Sequence, residues 1–453
     1  MGSNSSVFTP KRLKAYAALA VATASIIALS ACSGTSSTTN DNSSSGLKTA
    51  PGNATSGTVD FWAGQTLVGG QDMNKVLIDN FNKEYPNIKV NYTVAPTDTD
   101  TNRATLTTQI SGGGGPDVYE GDVIWPAQFA SHELAIPLSD YLPQSYFNGF
   151  ANGLIAGATY KGKVYAAPYF ADQGFLYYRK DILKADGLSV PKTWDQLVSD
   201  SKAAQAKGQV QYGYVFQGAD YEGATCNFME ILTDAGGTVL NSDGTKSQLD
   251  SPATLKALTF MKSLVTSGVS PAATSTYQET QALNDFQSGK ALFMRNWDYA
   301  YASSNAPGLA STGNVGVAPM PSFNENTFPG YSNIGGWNFY VNPHSKNVAA
   351  DLTFIKFMTN NESQKIIATQ FSEIPTVQAV RTNPTVIAAS PTLATAPKTR
   401  LVARPANTPN YPAVSQAIYN AVNGVLAGSL SPEAAVKQAH DGVNSAVSAT
   451  GGL

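Results

Sequence analysis

The strongest constraint on the fold is the pattern between residues 58 and 94. Thr58 to Ala63 alternates as a short strand, Met73, Val76, Leu77, Asn80 and Phe81 fall at the spacing of one helix face, and Ile88 to Val94 returns to strand. Strand, helix and strand within forty residues form a βαβ unit, which calls for a parallel sheet covered by helices. The alternation continues: a helix over Leu106–Ile110, a stop at Gly112-Gly113-Gly114-Gly115-Pro116, and a strand opening at Asp117-Val118-Tyr119. The glycine run lacks the Lys-Ser/Thr with which a P-loop reaches phosphate and Mg²⁺, so it reads as a helix end and a tight turn.

The pattern extends along the chain. Extended segments are expected at Lys163–Tyr169, Gly174–Tyr178, Val210–Phe216, Ala291–Met294, Val315–Met320 and Trp337–Val341. Helices are expected at Asp181–Ala185, from Thr193 as N-cap, at Phe228–Ala235, Ser251–Ser267, Glu279–Ser288, Val348–Met358, Glu362–Gln370, Tyr411–Ala427 and Pro432–Val447. With 453 residues the chain is several times the size of one core, so two α/β domains are expected.

The N-terminus has a different character. Lys11, Arg12 and Lys14 precede an uncharged run, Ala15 to Ala31, with the layout of a secretory signal. The run is somewhat short for a spanning helix and is interrupted by Thr23, Ser25 and Ser30. It closes with Leu29-Ser30-Ala31-Cys32, which resembles a bacterial lipobox; that resemblance implies a lipoprotein signal peptide over 1–31 and lipidation at Cys32. Residues 32–57, dominated by Ser, Thr, Asn and Gly, read as a flexible tether with a coil span of roughly 25–30 Å.

Charge and motifs narrow the function. Removing Lys11, Arg12 and Lys14 from 29 basic residues leaves 26 against 32 acidic ones, a formal −6, which excludes a nucleic-acid binder that works through bulk charge. Two cysteines cannot build a disulfide framework, and there is no CxxC or Cys/His set for zinc, so no metal and no cofactor are expected. With Cys32 lipidated, Cys226 reads as a buried small hydrophobe. His132, His344 and His440 lie in unrelated contexts, and no HExxH, GxSxG or SxxK motif occurs, so no catalytic residue is assigned.

What the sequence does contain is a set of aromatic and polar clusters at expected strand ends: Asp122-Val123-Ile124-Trp125, Phe170-Ala171-Asp172-Gln173, Tyr221-Glu222-Gly223, Arg295-Asn296-Trp297-Asp298-Tyr299, Gly335-Gly336-Trp337 and Arg404-Pro405. A sugar site needs flat apolar faces for C–H surfaces and fixed carboxylate, amide and guanidinium groups for hydroxyls. Strand-end loops of an open α/β sheet are where such groups converge. Trp62 and Trp194 read as core, whereas Trp297 and Trp337, in Asn- and Gly-rich settings, read as site residues.

From Val59 onward the chain resembles the family 1 extracellular solute-binding proteins of bacterial ABC importers, and within them the trehalose/maltose-binding type. The resemblance is carried by Gly114-Gly115-Pro116-Asp117-Val118, Gly162-Lys163-Val164-Tyr165-Ala166-Ala167-Pro168 and Leu176-Tyr177-Tyr178-Arg179-Lys180-Asp181. It continues in Phe286-Gln287-Ser288-Gly289-Lys290-Ala291-Leu292-Phe293-Met294 and in Gly335-Gly336-Trp337 followed by Ala350-Asp351-Leu352-Thr353-Phe354-Ile355-Lys356-Phe357. It implies an α/β, two-lobed periplasmic-binding-protein clamp. Each lobe is a sheet flanked by helices: lobe 1 is 58–168 plus 321–371, and lobe 2 is 169–320 plus 372–453. A sugar would be held in the cleft, and hinge closure would present it to the permease.

Carried over by position, the resemblance implies that Asp122 and Asp172 accept from sugar hydroxyls and Arg404 donates. Trp297, Tyr299 and Trp337 would stack on the rings, Gly335 and Gly336 would let backbone approach, and Gln65 and Glu222 would complete the set. Gln65 replaces an acid, and Phe170 a tyrosine, found in relatives. The resulting expectation is a monomeric, lipid-anchored, extracytoplasmic binding protein for an α-glucoside such as trehalose or maltose, without enzymatic activity. Two alternatives stand beside it: a galactoside or xylo-oligosaccharide as ligand, and an extracellular glycosidase, which would need a carboxyl pair about 5–9 Å apart. A structural surface lipoprotein would lack ligand-linked closure.

Overall fold

The computed structural model describes residues 53–406 and 408–449. The expected signal peptide, the expected lipidation site at Cys32 and most of the expected tether lie outside the described residues. Within the range expected as tether, the Ala54 amide donates to Thr353 Oγ1 at 2.8 Å, and strand β1 (Gly57–Ala63) starts at residue 57.

A seven-stranded sheet is built from β1, β2 (Ile88–Val94), β3 (Val118–Asp122), β4 (Ala167–Gln173), β9 (Tyr331–Val341), β10 (Ile374–Pro375) and β11 (Arg400–Val402), in the spatial order β10, β4, β9, β3, β1, β2, with β11 also on β9. The β1–β2 and β1–β3 pairs are parallel, and residue 57 pairs with 88 through to 63 with 94, as the βαβ pattern requires. β9 runs antiparallel to both β3 and β4. A second sheet has the order β6 (Tyr212–Val215), β7 (Ala291–Asn296), β5 (Phe175–Arg179), β8 (Val315–Ala318).

Hydrophobic periodicity decides which faces are covered. In the large sheet Val59, Phe61 and Ala63 alternate with more exposed residues and pack with Leu77 and Phe81 of helix Met73–Glu84 and Phe354 of helix Val348–Met358. The small sheet is covered on both sides. Leu176, Leu292 and Phe293 enter a core with Trp194, Met261 and Ile418, while Phe175, Tyr177 and Met294 turn to a further core with Phe286, Ile374 and Leu393. Buried central strands accordingly read as nearly continuous apolar runs.

Caps fall where the sequence signals them. Thr193 accepts from the Gln196 amide and Gln196 reaches back, a complete capping box, and Ser251 caps helix Pro252–Thr266. The glycine run ends helix Thr99–Ser111 through Gly112, with Gly113 and Gly115 at φ +82° and +90°, conformations that favour glycine. Cys226 is buried, as expected, and Trp194 belongs to the second core.

β4 passes into β5 through Gly174, so one continuous segment serves both sheets. A Cβ at 174 would fall on the Glu230 carboxyl and lie 2.8 Å from Arg295 Nη2, which leaves only glycine at this crossing. Among the described residues no helix is long and apolar enough to cross a membrane.

Candidate functional site

The ends of β3, β4, β7 and the middle of β9 open onto one cavity of about 540 Å³, within the usual range for small-molecule sites. All ten residues expected to contact a sugar line it: Gln65, Asp122, Asp172, Glu222, Trp297, Tyr299, Gly335, Gly336, Trp337 and Arg404. They come together through register. Trp337 pairs with Asp122 on one side of β9, and Gly335 with Asp172 on the other, so the Gly-Gly-Trp segment runs between the two carboxylates.

The two glycines are needed for that close approach. Gly336 has φ +126°, and a Cβ there would lie 2.7 Å from the Phe170 carbonyl; at Gly335 it would meet the Asp172 Cβ at 2.9 Å and the Trp297 ring at 3.0 Å. Trp297, Tyr299 and Trp337 are partly exposed, whereas Trp125, edge-on to Trp337 at 6.1 Å, is buried. The ring of Trp297 is fixed on one side by Arg295, 3.9 Å from its centroid, and its Nε1 donates to Glu279 at 3.1 Å. Tyr221 also donates to Glu279, at 2.8 Å.

The polar groups divide into those already committed to the protein and those left for a ligand. Arg404 donates to both Asp122 oxygens, at 2.7 and 3.1 Å, to Glu222 Oε1 at 3.0 Å and to the Ile334 carbonyl at 3.4 Å. Its Nε is buried without a partner. Glu222 is fully used: Oε1 also accepts from Tyr411 at 2.6 Å, and Oε2 from Ser415 at 2.5 Å. Its geometry is that of a buried anchor for Arg404, so its expected contact with a ligand passes through the guanidinium. Gln65 donates to Asp72 at 2.8 Å and is exposed at the rim.

Three carboxyls that were not assigned also line the cavity: Glu120, Glu279 and Glu373. Burial pushes Glu120 up to about 8, against an opposing hydrogen bond from the Gly64 backbone, and pushes Glu222 up to about 7 despite Arg404. Glu120 stood in the sequence two residues before Asp122. Glu373 had no comparable signal, because its neighbours in space are distant in the chain. Among the described residues, one group of carboxyls approaches metal-ligand spacing, Asp172, Asp298 and Glu373. Burial raises the Cys226 thiol far above its ordinary range, which leaves it an inert part of the cavity wall.

Contacts across the cavity mouth join its two sides. Gln278 donates to Asp98, the N-cap of helix Thr99–Ser111, at 2.9 Å; Ser303 donates to the Leu67 carbonyl at 2.9 Å; and the Glu222 amide donates to Asp100 at 3.2 Å.

Two sheets flanked by helices and joined by a shared strand, with an aromatic and carboxylate-lined cavity at their strand ends, define a two-lobed solute-binding fold of the maltose-binding-protein kind. The chain belongs to the bacterial extracellular solute-binding protein family, whose model matches residues 63–365. It is 35% identical over 333 residues, 71% of this chain and 77% of the relative, to a probable ABC transporter-binding protein of Deinococcus radiodurans. The structure of maltose-bound MalE3 from T. maritima matches with a TM-score of 0.79 and 32% identity, covering 86% of this chain and 99% of that one. The GacH receptor of Streptomyces glaucescens, solved unliganded and with acarbose, matches with a TM-score of 0.77 and 27% identity over 87% and 99%.

Proposed function

We propose that this protein is the sugar-capturing component of a bacterial ABC importer, and that its ligand is an α-glucoside oligosaccharide of the maltose or trehalose kind. The observation that carries the reading is the cavity itself. Three partly exposed aromatic rings, Trp297, Tyr299 and Trp337, stand among fixed carboxyls and a guanidinium held rigid by Asp122 and Glu222. Rings of that kind suit the C–H faces of pyranoses, and fixed acceptors suit their hydroxyls. Maltose and acarbose, the ligands of the two structural relatives, are both α-glucoside-like, which supports the choice among sugars.

In this reading the lobes are 58–168 plus 321–371 and 169–320 plus 372–453, and closure about the crossing segments brings both sides onto the ligand. The Cys32 lipid would hold the protein, as a monomer, at the outer face of the membrane beside its permease. It delivers the sugar without transforming it.

A thermal-shift screen of the chain against glucose, trehalose, maltose, longer malto-oligosaccharides, galactosides and xylosides, with product analysis, tests this directly. A ligand that binds only the folded state raises the melting temperature by mass action. A selective rise with maltose or trehalose and no cleavage is expected. A rise confined to galactosides or xylosides would replace the sugar, and hydrolysis products would replace the class.

A further inference from the structure

Asp172, Asp298 and Glu373 come from β4, from the turn after β7 and from the residue before β10, and one oxygen of each lies within 4.8 Å of the others. Asp172 and Glu373 line the cavity; Asp298 lies behind them, fully buried. Two of the three have one oxygen tied to a protein donor. Asp298 Oδ2 accepts from the Ile374 amide at 2.7 Å, and Glu373 Oε1 from Thr66 Oγ1 at 3.1 Å. The remaining oxygens of these two, and Oδ1 of Asp172, are buried without a donor.

The charges around the triad do not neutralise it. Arg295 is engaged by Glu230 in a two-bond fork and acts on Asp172 only through its charge, and Arg381 acts on Asp298 only at a distance. Asp122 and Glu279 add negative charge near Asp172, Glu120 adds it near Glu373, and the phenols of Tyr169, Tyr177 and Tyr299 are further titratable neighbours. Three carboxylates this close, buried and uncompensated, cannot all be ionised. A calcium-like cation needs six to eight oxygens, and the donors from Thr66 and Ile374 already occupy part of what this triad offers. A proton needs only two oxygens.

We propose that Asp298 is a positioning residue: it holds a proton, donates it as a hydrogen bond to Asp172, and thereby fixes Asp172 as the acceptor for a hydroxyl of the bound ligand. The directions agree. Burial and the neighbouring carboxylates raise all three carboxyls, Asp298 and Glu373 well above the usual range, so the triad retains a proton; Asp298, fully buried, is placed to hold it, and Asp172, which lines the cavity, to accept. The role assigned to Asp172 rests on the sugar-binding reading; the shared proton does not.

The test uses Asp298→Asn, Asp298→Leu and Glu373→Gln in the full chain. The amide of Asp298→Asn can donate to Asp172 but has no proton to lose. Without ligand, melting temperatures are measured from pH 4 to 9. The wild type is expected to lose stability as pH rises through the triad's titration, and Asp298→Asn and Glu373→Gln are expected to lose less. Parallel profiles for wild type and both variants would overturn the shared proton, whether or not any sugar binds. With maltose at pH 7, Asp298→Leu is expected to bind roughly tenfold more weakly, the cost of a lost charge-assisted hydrogen bond, and Asp298→Asn to recover most of that loss. Equal losses in the two variants would overturn the positioning role. A rise in wild-type melting temperature with calcium over EDTA, absent in Asp298→Asn, would assign the triad to a cation instead. If the wild type bound no sugar in the panel, the sugar reading would fail while the pH profiles still decided the proton.

Discussion

The guanidinium carbon of Arg295 lies 3.9 Å from the centre of the Trp297 ring, and the same guanidinium is held edge-on by Glu230 at 2.7 and 3.1 Å. Trp297 therefore owes its place in the cavity wall to a buried ion pair one residue layer behind it. Glu230 also accepts from the Asn333 amide of β9 at 2.9 Å, so the pair links the small sheet to strand β9 of the large one.

Removing one partner leaves the other charged and buried. Arg295→Met should cost about 3–5 kcal/mol of stability, measured by urea unfolding, and Arg295→Met combined with Glu230→Leu should cost less than the single change. Arg295→Lys cannot form the two-bond fork and should fall between wild type and Arg295→Met. An Arg295→Met protein as stable as the wild type would mean that the pair is not formed.

Trp337 and Trp194 should separate binding from stability. Trp337 is partly exposed to the cavity and lies in β9 opposite Asp122, whereas Trp194 is buried against Tyr214 and Phe260. Trp337→Ala should weaken sugar binding by about 2 kcal/mol, roughly thirtyfold, with a small change in melting temperature. Trp194→Ala should destabilise the fold by about 3–5 kcal/mol and leave the affinity of the folded fraction near that of the wild type. Calorimetric titration beside thermal melts reads both quantities.

The bonds across the cavity mouth should contribute to closure. Ser303 to the Leu67 carbonyl and Gln278 to Asp98 are side-chain bonds that exist only while the two sides are together. Ser303→Ala and Gln278→Ala should each reduce affinity roughly two- to tenfold, as a net hydrogen bond of about 0.5–1.5 kcal/mol requires, mainly through faster dissociation. Stopped-flow release of bound sugar checks this; unchanged release rates in both variants would mean that these bonds play no part in holding the ligand.

How much of this was legible in the sequence follows from which interactions are local. Strand 88–94 and helix 348–358 were read with their observed bounds because the apolar periodicity of each lies within the element. The strand expected from Trp337 begins at Tyr331, since Asn333 and Gly335-Gly336 break the alternation and the ladder there comes from distant β4 and β11. The helix expected from Phe228 begins at Glu222: Gly223, Thr225 and Asn227 are poor formers, and its first turn is held by Arg404, Tyr411 and Ser415 on Glu222. The helix expected at 106–110 starts at Thr99, where Asp98 is the cap. Nine of the ten expected site residues stood in clusters at expected strand ends, whereas Gln65 came from the family resemblance alone; all ten share one cavity. Asp298 stood in such a cluster too, but its partners at 172 and 373 are a tertiary fact, and Glu279 read only as the start of a helix.

The buried carboxyls fix the direction in which stability depends on pH. Burial raises Glu120 and Asp351 to about 8 and Glu222 to about 7. In each case the folded protein holds its proton more tightly than the unfolded chain, whose carboxyls titrate near 4. Between those values the folded state binds more protons, so stability is full below about pH 4 for these groups and falls as pH rises through 7 to 8. Surface carboxylates held by Lys or Arg, such as Asp181 beside Arg179, work in the opposite sense at the acid end. Asp351 offers the cleanest test because it lies outside the cavity. Its carboxyl accepts from Ser345 at 2.5 Å and its other oxygen has no partner. Asp351→Asn, which cannot ionise, should melt close to the wild type at pH 5 and above it at pH 9. A difference in melting temperature that stayed constant across that range would show that Asp351 does not keep its proton in the folded protein.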